Sequence, residues 1–320
     1  MTRIGPLAEP ASRRPGALGV HSIDHFLLSV PDVEEARKFY GGFGLEIRHE
    51  EGKLNLYTEG HPHRWGALTQ GPRKSLRYIS FGVFEDDFPR FRERLEGMGV
   101  PLLDPPRGFE SNGLWFHDCD GTLLEIRAAG KCSPDTKPAA GTPPGLPGIA
   151  NAPSRSTAPL VHPHRLAHML VFTRNVPNTL KFYGEVLGLR LSDRSGDAIG
   201  FMHGIHGSDH HMIAFLKSDA PGLHHLSWDA GSIQAIGLGA MQMAGKGYRA
   251  GWGLGRHVLG SNYFHYVRDP WGSYCEYACD IDYIPADVDW QSGDHPPEDS
   301  FYVWGPEPPK DFAVNYEAGS

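Results

Sequence analysis

His168, His225 and Glu276 are the residues of this chain whose types and settings could hold a divalent metal. They lie in the runs AHMLVF, LHHLSW and SYCEYA, each of which reads as a strand. Side chains alternate between faces along a strand, so each run can aim one ligand at a common interior. By that alternation His168 shares a face with Leu170 and Phe172, His225 with Leu223 and Ser227, and Glu276 with Tyr274 and Ala278, while His224 points the other way. Two neutral imidazoles and one carboxylate leave open positions on the ion, the facial arrangement suited to non-haem Fe(II) enzymes that must bind substrate and O2 together. Taken singly, each residue also has a plain structural role, as a core histidine or a solvated strand-end glutamate. Cys275 has the opposite parity to Glu276 and is expected to pack as a small apolar residue. The tracts PHPHRLAH and MHGIHGSDHH are read as loop histidines in preference to metal-sequestering runs.

The elements that would position these groups occur twice. DHFLLSVPDVEEARKFYGGFGLEI and AHMLVFTRNVPNTLKFYGEVLGLRL both run from a histidine through a strand and a turn into a helix bearing Phe-Tyr-Gly. His25 to Tyr40 and His168 to Tyr183 have the same spacing, and DCDGTLLE (118–125) matches DPWGSYCE (269–276) position for position. Three matches in one order make an internal repeat. Phe39-Tyr40 and Phe182-Tyr183 are expected to pack helix against sheet. A second helix signal follows in each half, EDDFPRFRERLEGMGV and SIQAIGLGAMQMAGKG, each preceded by a short strand. The pattern is α+β, two tandem domains whose curved sheets are backed by helices. We assign 21–130 to the first domain, 131–160 to a Pro/Ala/Gly-rich linker, 161–285 to the second domain, and 286–320 to a tail. The tail carries Trp290, Phe301, Tyr302 and Trp304, too aromatic for simple disorder, and is expected either to cover the mouth of the second domain or to dock on a neighbouring subunit.

Bulk properties narrow the partners. With 30 basic against 38 acidic residues the net charge is -8, which leaves no basic face for nucleic acid or an anionic membrane. No stretch has the apolar length of a membrane span or a signal peptide, and four scattered cysteines make no disulfide framework. A cytoplasmic setting is expected. Eighteen histidines, most of them after residue 160, concentrate the candidate chemistry in the second half.

The segment GRHVLGSNYFHYVRDPWGSYCEY resembles the signature of the type I extradiol dioxygenases, the catechol 2,3-dioxygenase group of the vicinal oxygen chelate superfamily. Gly255, His257, Tyr266, Asp269, Pro270, Gly272 and Glu276 stand at that family's spacing, and the likeness spans roughly residues 21–285. One position departs: His265 replaces an apolar residue beside Tyr266, which raises a question about the adjoining substrate pocket. HHMIAFLKSDAPGLHHLSWD resembles the family's paired double-histidine segments, in which the second histidine of each pair is functional.

The resemblance implies paired βαβββ modules, each domain's sheet curling around a funnel. It implies metal ligands His168, His225 and Glu276, with His211 as acid–base, Tyr266 on a substrate oxygen, and His257 orienting Tyr266 or the substrate. Fe(II) is the expected metal, with Mn(II) as the alternative, and O2 the co-substrate. The expected reaction opens a catechol-type ring beside its two hydroxyls, in a protein expected to be a homo-oligomer. In the first half His25 and Glu125 survive at the ligand positions, but Tyr78 stands opposite His225, so that site should bind metal poorly. Two other readings share the fold: a glyoxalase-like isomerase or lyase, which has less reason for the His257/Tyr266 pair, and a non-enzymatic binding protein, which needs no metal triad.

Overall fold

The computed structural model describes residues 11–50, 52–109, 111–141 and 145–318. The first ten residues and positions 142–144 of the linker lie outside them. In the first half the elements are β1 (Ser22–Val30), α1 (Val33–Gly42), β2 (Glu46–Glu50), β3 (Lys53–Tyr57), β4 (Gly66–Gln70), β5 (Ser75–Val83), α2 (Phe88–Gly97), β6 (Leu114–His117) and β7 (Leu123–Ala128). The second half begins with β8 (Arg165–Thr173), α3 (Val176–Leu187), β9 (Arg190–Ser195), β10 (Ile199–His203), β11 (Ser208–Asp209), β12 (Ile213–Lys217) and β13 (Gly222–Asp229). It continues with α4 (Ile233–Gly245), β14 (Gly251–His257), β15 (Tyr263–Arg268), β16 (Tyr274–Cys279), β17 (Tyr283–Ile284), β18 (Gly293–Asp294) and β19 (Tyr302–Trp304).

Three of the four α-helices begin where a short polar side chain caps them, and α2 begins without one. Asp32 accepts from the Glu34 and Glu35 amides, Asn175 from the Asn178 amide, and Ser232 from the Ala235 amide. Helix α3 stops at Gly188, whose φ of 74° is the left-handed conformation that glycine adopts without a Cβ penalty.

The repeat is a repeat of topology. The first sheet runs β2-β3-β4-β1-β5-β7-β6, and the second contains the same order as β9-β10-β12-β8-β13-β16-β15. In each, the leading strands of two modules meet antiparallel at the centre, β1 with β5 and β8 with β13. Parallel pairs flank them: β1/β4 and β5/β7, then β8/β12 and β13/β16. The second sheet is longer, gaining β18 at one edge and β14 and β19 at the other. In the first half the place of β14 is reduced to a bridge between Leu103 and Trp115.

The halves share one core. Phe43 of the first stacks on Tyr277 of the second at 3.8 Å between centroids, and the Tyr277 hydroxyl donates to the Phe43 carbonyl at 2.7 Å. Tyr183 returns the exchange by donating to Asp118 at 3.0 Å. Of the two Phe-Tyr pairs, Phe39, Tyr40 and Tyr183 are fully buried, and Phe39 meets Tyr248 of the other half edge-on at 5.0 Å. Burying side chains of this size contributes roughly 1.5–3 kcal/mol each, so the repeated pairs hold half to half as well as helix to sheet. The linker is docked at its start: Ser133 donates to the His21 carbonyl, and Lys137 pairs with Asp280 at 2.9 Å. Cys275 is buried, and all four cysteines are free thiols. Among the described residues no helix is long and apolar enough to cross a membrane.

Candidate metal centre

Register brings the three candidate ligands together. On the centre of the second sheet, Ser227 of β13 pairs with His168 of β8 on one side and with Glu276 of β16 on the other. His225 lies two residues along β13, and Tyr266 of β15 stands opposite Glu276. The ligand atoms of His168, His225 and Glu276 all fall within 4.8 Å of one another, and all three residues are buried. His168 Nε2 approaches Glu276 Oε2 to 3.2 Å, and His225 Nε2 approaches the same oxygen to 3.6 Å. Ligand atoms bound to one ion at about 2.0–2.2 Å stand roughly 3–3.6 Å apart, so both contacts are short enough to share a cation.

The hydrogen bonds leave the site open. Glu276 Oε2 and His225 Nε2 are buried atoms with no hydrogen-bond partner. Buried polar atoms are normally satisfied, so an unfilled acceptor pair beside a second imidazole fits a cation. Asn262 Nδ2 donates to Glu276 Oε1 at 3.1 Å and turns the other oxygen toward the rings. Burial would raise the Glu276 carboxyl, but the adjacent His168 and His257 rings prevail and hold it below the usual glutamate value. Burial, with neighbouring imidazoles, keeps His211 and His225 well below the ordinary imidazole range.

Chains of histidine hydrogen bonds fix which nitrogen faces the centre. His224 Nε2 lies 2.8 Å from the Phe312 carbonyl, which can only accept, so His224 donates there and its Nδ1 is an acceptor. His225 Nδ1, 2.7 Å from His224 Nδ1, must then donate, which leaves His225 Nε2 a bare lone pair toward Glu276. The same logic runs from Asp193 to His210 at 2.8 Å and from His210 to His211 at 3.0 Å, leaving the His211 Nε2 lone pair free. His257 Nδ1 donates to the Phe301 carbonyl at 2.8 Å, so its Nε2 accepts from the Tyr266 hydroxyl at 2.9 Å.

The six candidate residues thus lie in one region, five of them in the wall of a cavity of about 500 Å³, with Glu276 behind it. The His211 ring stands 4.1 Å from that of His168. Leu170, Phe201, Leu216 and Leu259 supply apolar wall, and the tail adds Phe301 and Phe312.

Several details escaped sequence reasoning. Pairing along β13 skips His224, with Leu223 opposite Val171 and His225 opposite Leu170. This bulge overturns the simple alternation: Leu223 joins the main core rather than sharing the His225 face, and His224 turns its ring onto His225. His265 pairs with Tyr277, one position off Tyr266, and is absent from the cavity wall, so the departure beside Tyr266 leaves the pocket untouched. Of the histidines of MHGIHGSDHH, His203 ends β10 while His206, His210 and His211 lie in turns and loops, and none of them reaches the surface. His203, His206, His210 and His211 are all buried, with His203 on the Ser192 hydroxyl and His206 on the Gly19 carbonyl. Asn262 and His224 had no role assigned, though both lie inside the quoted segments.

Comparison with known proteins accords with this geometry. Residues 22–126 and 165–277 match the model of the Glyoxalase/Bleomycin resistance protein/Dioxygenase superfamily. The chain belongs to that superfamily. Metapyrocatechase 2 of Cupriavidus necator is 48% identical over 309 residues, spanning 97% of this chain and 96% of the relative. Among solved structures, homoprotocatechuate 2,3-dioxygenase from Brevibacterium fuscum superposes with a TM-score of 0.73 at 20% identity, covering 98% of this chain and 95% of that one. An Mn(II)-bound glyoxalase from Novosphingobium aromaticivorans superposes equally well, with a TM-score of 0.73 at 24% identity over 91% and 93% of the two chains. These two show the superfamily fold, here in its tandem form.

Proposed function

We propose that this superfamily member is an extradiol dioxygenase, which uses O2 to open a catechol-type ring beside its two hydroxyls at an Fe(II) ion held by His168, His225 and Glu276. The observation that carries the reading is the pairing of a three-ligand open centre with a separate lone-pair imidazole, His211, and the Tyr266–His257 couple, all against apolar walls. The near full-length relation to metapyrocatechase 2 supports the reaction class. Ligands of this kind do not select strongly between iron and manganese, so iron rests on the resemblance to the extradiol group.

Bound there, the metal would supply a template for both catechol oxygens and a route for electrons to O2. The rest is the work of the chain. A catechol must shed protons to chelate, and two acceptors await them. Tyr266 donates its own proton to His257 Nε2, so its oxygen accepts from a substrate hydroxyl and can pass a proton inward. The His211 lone pair faces the same cavity, and the Asp193–His210 chain stabilises the imidazolium formed when it takes a proton. Ring-fission chemistry builds negative charge on oxygen and then requires a proton at one place, which His211 can return. Leu170, Phe201 and Leu259 exclude water around the ring.

The test is anaerobic loading with Fe(II) or Mn(II) in parallel, then addition of catechols with O2 uptake recorded. Uptake matching substrate consumed, with a ring-fission chromophore, is expected for the iron form. Metal binding with neither signal across monocyclic and biphenyl diols would overturn the proposal.

A further inference from the structure

The funnel of the first half answers a different ligand. Its candidate metal groups are spent on hydrogen bonds within the protein. His25 Nδ1 sits 2.7 Å from Asp24 and its Nε2 3.0 Å from the Tyr78 hydroxyl, while Glu125 accepts from Ser80 at 2.5 Å and from Ser111. Yet the funnel is not filled. A cavity of about 350 Å³ remains, and among the described residues its charged lining side chains are Lys53, Arg64 and Arg127 against Glu125.

Among the described lining residues, the buried side-chain atoms left without a partner are donors. Trp115 is 1% exposed and lines the cavity, and its indole Nε1 is buried without an acceptor. Arg127 Nε is also buried and unpartnered, while its Nη1 stands 3.7 Å from Asp24. An indole N–H and a guanidinium N–H can only donate, so no rearrangement of these two can satisfy either. Both residues line the cavity, and an anion there would offer acceptors to donors of this kind, with charge-assisted bonds the stronger sort. The remaining wall is aromatic. Tyr78 meets Trp115 edge-on at 5.0 Å and Phe109 at 5.6 Å, with Phe109 lining the opening.

We propose that the first-half funnel binds a small planar organic carboxylate, its charge on Arg64, Arg127 and the Trp115 N–H and its ring against Tyr78 and Phe109. The strand pattern places these groups together. Glu125 and Arg127 are two apart on β7 and share a face, Trp115 of β6 pairs with Glu125, and Tyr78 projects from the neighbouring β5. The site stands apart from the metal centre and does not depend on the proposed reaction.

The experiment is calorimetric titration of the metal-loaded full chain with benzoate. One saturable event is expected, and it should survive His225→Ala, which disables the other funnel. Arg64→Gln and Trp115→Phe should each weaken it about tenfold or more, the loss of about 1.4 kcal/mol that one charge-assisted bond represents. Arg64 is half-buried in the loop before β4, so that variant carries the test if Trp115→Phe does not fold. Absence of saturable binding would overturn the proposal, as would binding abolished by His225→Ala and indifferent to Arg64→Gln. Inorganic phosphate binding as tightly as benzoate would overturn the role given to the aromatic wall.

Discussion

Replacing His224 with phenylalanine should weaken the metal site without touching a ligand. The ring of His224 packs against Phe312 at 4.8 Å, Phe172 at 5.3 Å and Tyr274 at 5.5 Å, so a phenyl ring keeps its shape and neighbours. What disappears is the acceptor for His225 Nδ1–H, together with the donor to the Phe312 carbonyl, in a place where the neighbouring side chains are buried. An orphaned buried donor costs about 1–3 kcal/mol. The free protein can relieve part of this by moving the proton to Nε2, the nitrogen that must face the metal bare. The penalty therefore falls on metal binding, where loss of such an outer partner typically lowers affinity about 10–100-fold. Thermal melting with and without Fe(II), under anaerobic conditions, reads it out. At a free metal concentration 100 times its dissociation constant, the wild type gains about 2.7 kcal/mol from binding. A variant about 30-fold weaker gains only about 0.9 kcal/mol at that concentration. His224→Gln, whose amide oxygen can accept again, should recover part of the difference. A folded His224→Phe with wild-type metal affinity would refute the reasoning, since the proton order from Phe312 to His225 would then be idle.

Three further outcomes follow from the same geometry. His211→Phe should retain metal and lower turnover by roughly 10²–10⁴, the usual contribution of a positioned acid–base, whereas unchanged turnover would remove its role. Metal analysis of the loaded protein should give about one ion per chain, because His25 and Glu125 are hydrogen-bonded to Asp24, Tyr78 and two serines; a value near two would contradict this. Acid should destabilise the fold through histidines that burial holds neutral, His21 and His203 among them, each lowered from 6.5 to about 4. The unfolded chain takes up their protons first as pH falls through about 6.5, so stability is intact above that value and declines toward pH 4. At pH 5 each contributes a loss of about 2 kcal/mol, measurable as a lower urea midpoint, and an unchanged midpoint from pH 7.5 to 5 would count against it.

What could be read from residue order is what side chains alone determine. The His25–Tyr40 and His168–Tyr183 spacings marked the repeat because each half needs the same strand, helix and buried Phe-Tyr pair, and the strand orders duly coincide. The convergence of His168, His225 and Glu276 was legible because all three ride central strands whose neighbours are set by that topology. Alternation failed at His224, because a bulge depends on how two strands pair and not on either strand alone. The contacts that Phe301 and Phe312 make with the site histidines were hidden for a different reason. Both residues act on His257 and His224 through backbone carbonyls, which carry no residue identity. Asp193 shares the difficulty, since its partners His210 and His295 are 17 and 102 residues away.

The two funnels show how little of a site belongs to the fold. Both sheets offer a histidine on the leading strand and a glutamate two strands over, each paired with the same serine of the strand between them. In the second half a bulged histidine pair and Asn262 steer protons outward, so the unmet groups at the centre include the lone pairs of His225 and Glu276, and a cation is what they lack. In the first half Tyr78 and two serines spend those lone pairs, and the unmet groups include the N–H bonds of Trp115 and Arg127. A single exchange at the middle ligand position, imidazole for phenol, begins the inversion because a phenol can donate to the remaining imidazole. Restoring a histidine at Tyr78 would free His25 Nε2 but leave Glu125 held by Ser80 and Ser111. One substitution is therefore not enough to make the first funnel a metal site.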